Sequence, residues 1–224
     1  MGTHTSVIKS PQWVLLIMLD AIIKKASDEL LSREKARDEA YSRARRARIL
    51  SKQAILLLHS GETLNAEANL DEAKKLIAEI DGYVAVHPEI AFYESVTAAR
   101  EEYSEACILI GLNTGRGYPN PEELGISSSD YIMGLADVPG ELRRQTLDLL
   151  RAGDLEAAER NLATMEEIYL NLVTVEEVSL FLKGLRRKLD VTRNVNERTR
   201  SEITTEASRE RLRQKLAEVG EKLQ

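Results

Sequence analysis

Cysteine is nearly missing from this chain: Cys107 is the only one in 224 residues. A lone thiol excludes an internal disulfide and a multi-thiolate metal site, and it makes a reducing, cytoplasmic setting the expectation. A long hydrophobic run is also missing. The longest early apolar stretch, Trp13 to Leu19, is stopped by Asp20 and is too short to span a bilayer, so no membrane partner is expected. Only Lys9 precedes that stretch and no small-residue cleavage pattern follows, which argues against a secretory signal. No segment alternates apolar and polar residues over the length of a strand. There are only three histidines, and His59 and His87 stand at expected helix ends, where a lone His is usually structural. No Ser-His-Asp set, phosphate-cradling glycine loop or Cys/His cluster appears, so triad hydrolysis, P-loop chemistry and zinc binding have no footing.

What remains reads as helix. Pro, Gly and aromatics are scarce, while Ala, Leu, Glu, Arg and Lys dominate. Residues 1–9 carry no pattern and are expected to be a disordered end. Ser10-Pro11 suits an N-cap and first-turn proline, and no Pro or Gly follows until Gly61. Apolar residues at Leu15, Leu19, Ile22, Ile23, Ala26 and Leu30, then Ile49, Ala54, Ile55 and Leu58, predict one long first helix with an inward face, bent or broken in its charged middle. Helix two runs from Leu64 to about Val84, with Leu70, Ala73, Ile77 and Ile80 on one face. Helix three runs from about Pro88 to Leu112. The turn-rich stretch 113–126 is the best loop, and Ser127–Ser129 offers an N-cap for the next segment. Pro139-Gly140 interrupts that segment. At "RAGD", Gly153 suits a helix end and Asp154 a new cap, opening a helix over 154–171. Thr174 is expected to cap a long last helix with Val178, Phe181, Leu182, Leu185 and Leu189 inward and a partly mobile tail over 205–224. The expected fold is all-α: six or seven helices in one bundle-like domain spanning 10–224, with long first and last helices. "NLDEAKKLIAEI" and "DLEAAERNLATMEEI" are alike, but two copies with unlike material between them do not make a helical-repeat array.

Charge is segregated. The net charge is −6, yet residues 33–52 and 183–224 each balance at +5, residues 1–32 at zero, and the middle, 53–182, at −16. Such a layout fits an anionic partner, an acid-lined site, or ends that merely neutralise the middle. Two acidic pairs stand out. Glu102 and Glu105 are three apart and Asp137 and Glu141 four apart, so each pair shares a helical face. Asp137 lies among apolar neighbours, where a carboxylate must be protonated, paired or bound to a cation. On spacing alone the plain readings come first: Asp137 caps a helix that begins at Val138-Pro139, and Glu102 and Glu105 line a solvated face. Arg45, Arg48 and Lys52 form a basic stripe suited to phosphate, or to pairing with the acidic middle. Arg144 adds a cation beside the second pair. All-oxygen ligation favours Mg²⁺ or Mn²⁺.

Three stretches, in order, change the balance. "SSSDYIMGLADVPGELRRQTLDLLRAGDL" (127–155), "EYSEA" (102–106) and "SKQAILLLHS" (51–60) resemble the translin superfamily, and are closer to translin-associated factor X than to translin. The family segment has the form D-Y-L-x-G-V-A-D-L-T-G-E-L-x-R; Asp130, Tyr131, Gly134, Ala136, Asp137, Gly140, Glu141, Leu142 and Arg144 match it, and Pro139 departs from the usual Thr. The resemblance implies a metal-dependent endoribonuclease with Glu102, Glu105, Asp137 and Glu141 as catalytic, metal-holding acids. It also places Lys52 near the site and implies a homo-oligomer, an octamer in that family. The function expected is Mg²⁺- or Mn²⁺-dependent cleavage of RNA with single-stranded character, with Arg45, Arg48, Lys52 and Arg144 contacting the strand. The alternative is a non-catalytic binder of single-stranded RNA or DNA.

Overall fold

The computed structural model describes residues 11–175 and 182–222, with backbone alone at 11–15. Among these residues there are eight α-helices and no strand. They are α1 (Pro11–His59), α2 (Thr63–Val86), α3 (Glu94–Asn113), the four-residue α4 (Pro121–Leu124), α5 (Ser128–Leu135), α6 (Val138–Ala152), α7 (Leu155–Thr174) and α8 (Leu185–Lys222). A 3₁₀ turn over Pro88–Phe92 precedes α3, so the proline at 88 opens a tight turn rather than the helix itself. No helix among the described residues is long and apolar enough to cross a membrane.

α1 packs against α2 and α3, α5 lies on α3, and α6, α7 and α8 pack on one another. An alanine stripe on α1 (Ala36, Ala40, Ala44, Ala47, Ala54) is buried; its short side chains let α2 approach with Leu70, Ala73, Ile77 and Ile80, the face the periodicity predicts. α7 contributes Leu162, Met165, Ile168 and Leu172, and α8 contributes Leu185 and Leu189. Asn196 of α8, also buried, donates to the Met165 carbonyl at 3.1 Å. Ser127 caps α5 and Asp154 caps α7, their side chains accepting from Asp130 N and Ala157 N.

Three expectations are corrected. α1 is unbroken through its charged middle, where alternating acids and bases form pairs such as Arg43–Glu39. Its amino-terminal apolar residues are not inward: Leu19, Ile22, Ile23 and Leu30 are 55–64 % exposed. The cause is length. At 1.5 Å per residue, the 49 residues of α1 run about 74 Å against about 36 Å for the 24 of α2, so the neighbours cannot cover it. Finally, Thr174 ends α7, its hydroxyl donating to the Asn171 carbonyl, and the last helix starts only at Leu185. Gly184, at φ +98°, holds a left-handed conformation that precedes α8. Leu182, Leu185 and Leu189 are buried as expected; Val178 and Phe181 lie outside the described residues.

Candidate active site

The site begins with a close crossing. A Cβ on Gly134 of α5 would sit 2.4 Å from the Glu101 carbonyl and 2.7 Å from the Ser104 Cβ. Only glycine permits this approach, and it sets the chain leaving α5 beside the Glu101–Glu105 turn of α3. α5 then stops at Leu135 and α6 begins at Val138, with Pro139 in its first turn. The helix therefore breaks where the proline predicts. Asp137 holds the N-cap position, yet its side chain makes no capping bond. Its Oδ2 accepts instead from Lys188 Nζ at 2.8 Å. The break and the carboxylate's turn toward α3 thus occur together, and the plain reading of Asp137 as a capping acid is corrected.

Three of the four acids meet a base from a distant element. Glu102 faces α1, with Arg48 Nε at 3.4 Å and Lys52 Nζ at 3.6 Å from its Oε2. Glu141, in the first turn of α6, lies 2.6 Å from Nε2 of the buried His59 at the end of α1. Asp137 shares Lys188 with Glu101 Oε2 at 2.9 Å, and the ammonium completes its three donors on the Met133 carbonyl at 2.9 Å. Burial lowers the Lys188 pKa, but its hydrogen bonds to Asp137 and Glu101 outweigh that and hold it above its ordinary value.

Glu105 is the exception. It is 9 % exposed and has no ion pair among the described residues. Burial raises its pKa first, then the charges of Asp137, Glu102 and Glu141, to about 8, with Lys188 acting in the opposite sense. The charges of the other three acids therefore reach Glu105. The donor set is all oxygen and suits a hard divalent cation. Among the described residues, however, no three Asp, Glu, His or Cys side chains are gathered closely enough to hold a metal as they stand; each outer acid is turned to its own base.

The chain thus brings together Glu102, Glu105, Asp137, Glu141, Arg48 and Lys52. Arg45 and Arg144 are exposed and make no contact with the acids; Arg143, beside the latter, pairs with Glu202 of α8 at 2.8 Å. Two residues escaped the sequence reading. His59, set aside as a structural helix-end histidine, lies seven residues after Lys52, two turns along the same face, and that spacing was a usable signal. Lys188 had no local signal beyond its place in the basic carboxyl-terminal segment.

Comparison with known proteins finds likeness in sequence and fold. The model of the family described as "Translin family" matches residues 111–202. An uncharacterized protein of Methanocaldococcus jannaschii is 32 % identical over 151 residues, 67 % of this chain and 66 % of that protein, just under two thirds of its length. The solved structure of AfC3PO in complex with duplex RNA superposes with a TM-score of 0.77 at 33 % identity, covering 83 % of this chain and 96 % of that one. The apo-NeC3PO crystal structure follows at 0.74 and 27 % identity, covering 82 % and 96 %.

Proposed function

The chain belongs to the translin family, and on that premise we propose that it is a divalent-metal-dependent endoribonuclease of the factor X type, acting on RNA with single-stranded character. The observation that carries the reading is the placing of Glu102 and the buried Glu105 on one turn of α3, with Asp137 at the α5–α6 junction tied through Lys188 to Glu101 of that same turn. The similarity to a protein solved with duplex RNA supports RNA as the ligand class.

Glu102, Glu105, Asp137 and Glu141 are the residues that would hold Mg²⁺ or Mn²⁺. When bound, such an ion supplies positive charge against the charge that develops on phosphorus and the leaving oxygen. The chain's own groups do the rest. Lys188 holds the Asp137 and Glu101 carboxylates in place. His59 fixes the Glu141 carboxylate. Arg48 and Lys52, exposed and only loosely set on Glu102, are placed to exchange that contact for a phosphate of the strand, with Arg45 further along the same helix. Exposed apolar residues on the amino-terminal half of α1 support assembly into a homo-oligomer, an octamer by family likeness.

Labelled single-stranded and duplex RNA, incubated with Mg²⁺ and with EDTA, test the reading. Metal-dependent internal cleavage is expected, lost in Glu105→Ala and Asp137→Ala; equal cleavage with EDTA, or undiminished cleavage by both variants, overturns it. The second reading, a non-catalytic RNA or single-stranded DNA binder, draws on the three outer acids being turned to bases rather than gathered as a metal-holding set. It expects salt-sensitive binding that survives Asp137→Ala, without cleavage.

A further inference from the structure

A cavity of about 630 Å³ opens on the far side of Asp137, between α3, the α5–α6 junction and the start of α8. Its apolar floor includes Ala98, Met133 and Val195. Gly140 forms part of the wall, and a Cβ there would meet nothing within 4 Å, so the space beside it is open. Lys183 and Arg187 line the cavity; both are exposed.

The state of these two cations bears on what the cavity can hold. Near the acid cluster, Arg48 and Lys52 are engaged by Glu102 and Arg143 by Glu202. Lys183 and Arg187 have no hydrogen bond or ion pair among the described residues. Two of the acids lining the same cavity, Glu101 and Asp137, are hydrogen-bonded to Lys188 rather than to either of them, though one ammonium offsets only one of those two charges. Glu94, in the first turn of α3, is the remaining acid. An apolar floor of this volume, with two cations beside it that have no direct partner and an acid cluster at one end, matches the chemistry of a nucleotide: the base against the floor, the backbone phosphate on a lysine and an arginine fork.

We propose that this cavity seats a nucleotide of the RNA strand adjoining the phosphate under attack, and that Lys183 and Arg187 hold its backbone phosphate. The strand then passes across the acid cluster, between Arg48 and Lys52 on one side and Lys183 and Arg187 on the other. The inference rests on the RNA reading above but not on cleavage.

The test measures binding of fluorescein-labelled single-stranded RNA to the full chain by anisotropy in EDTA, over a range of salt. It compares the wild type, the double variant Lys183→Met/Arg187→Met, and a control, Lys24→Met/Lys25→Met. The control removes the same charge about 40 Å from Lys52 along α1, given 27 residues at 1.5 Å each. Each phosphate contact contributes roughly 0.7 to the slope of log affinity against log salt for single strands. The cavity double variant is therefore expected to bind more weakly, with a slope shallower by about 1.4, while the control keeps the wild-type slope. A wild-type slope in the cavity variant, or the same change in the control, overturns the proposal. Parallel Mg²⁺ cleavage separates the two readings. Cleavage by a wild type whose cavity variant binds normally removes this inference alone. A slope that falls as expected, without any cleavage, removes the nuclease alone. A wild type that does not bind RNA removes both.

Discussion

Removing the charge of Glu105 without changing its shape, by Glu105→Gln, is expected to stabilise the metal-free protein at alkaline pH. The Glu105 pKa rises on folding from an ordinary 4.5 to about 8, through burial and then the charges of Asp137, Glu102 and Glu141. The folded state therefore binds a proton that the unfolded chain releases, and stability falls as pH rises through this window. Its contribution is fully present below pH 4.5 and lost as pH passes 8. At about 1.36 kcal/mol per pH unit, the loss between pH 5 and pH 8 is on the order of 3 kcal/mol for the wild type relative to the variant. Urea unfolding at pH 5, 6, 7 and 8, in EDTA and at one protein concentration, measures it. The variant should gain on the wild type steadily across the series, and Mg²⁺ at pH 8 should restore the wild type but help the variant little. Parallel stability curves would refute the reasoning, because they would mean that neither burial nor the neighbouring acids raise the Glu105 pKa.

Lys188→Met leaves Glu101 and Asp137 without their cation; with Asp137 partly exposed, the cost should be about 1–2 kcal/mol in urea unfolding, below that of a fully buried pair. His59→Ala removes the Glu141 partner and should lower metal-dependent cleavage at least tenfold while RNA affinity in EDTA is kept, which cleavage and anisotropy assays check together. Gly134→Ala drives a methyl into the Glu101 carbonyl; about 1–3 kcal/mol of stability should be lost, together with cleavage, as α5 is pushed off α3.

The fold was legible where one segment carries its own signal. Leu70, Ala73, Ile77 and Ile80 repeat at helical spacing and are buried. At Gly153, φ is +82°, and Asp154 caps the next helix, as "RAGD" reads. The apolar run at the start of α1 shows the limit of such signals. Periodicity says that a face is apolar, not which surface covers it, and here neither α2 nor α3, the helices packed on α1, is long enough. The site divides in the same way. Glu102 and Glu105 share one turn of α3, but their convergence with Asp137 and Glu141 depends on the α3–α5 crossing at Gly134, which composition does not encode. His59 and Lys188 lie 82 and 51 residues from the acids they hold. Pairing over such separations is a product of packing, so spacing along the chain cannot announce it.

The bases that answer the acids come from opposite ends of the chain: Arg48, Lys52 and His59 from α1, Lys188 from α8. Synthesis is vectorial, so the acids emerge after their first counter-ions and before their last. A nascent chain that has reached α6 already contains the bases that answer Glu102 and Glu141, but the cation that answers Glu101 and Asp137 is absent until Lys188 leaves the ribosome. The cluster is then completed by one of the last elements to be made, and a prematurely terminated product is left with a charge imbalance at its centre rather than a working half-site.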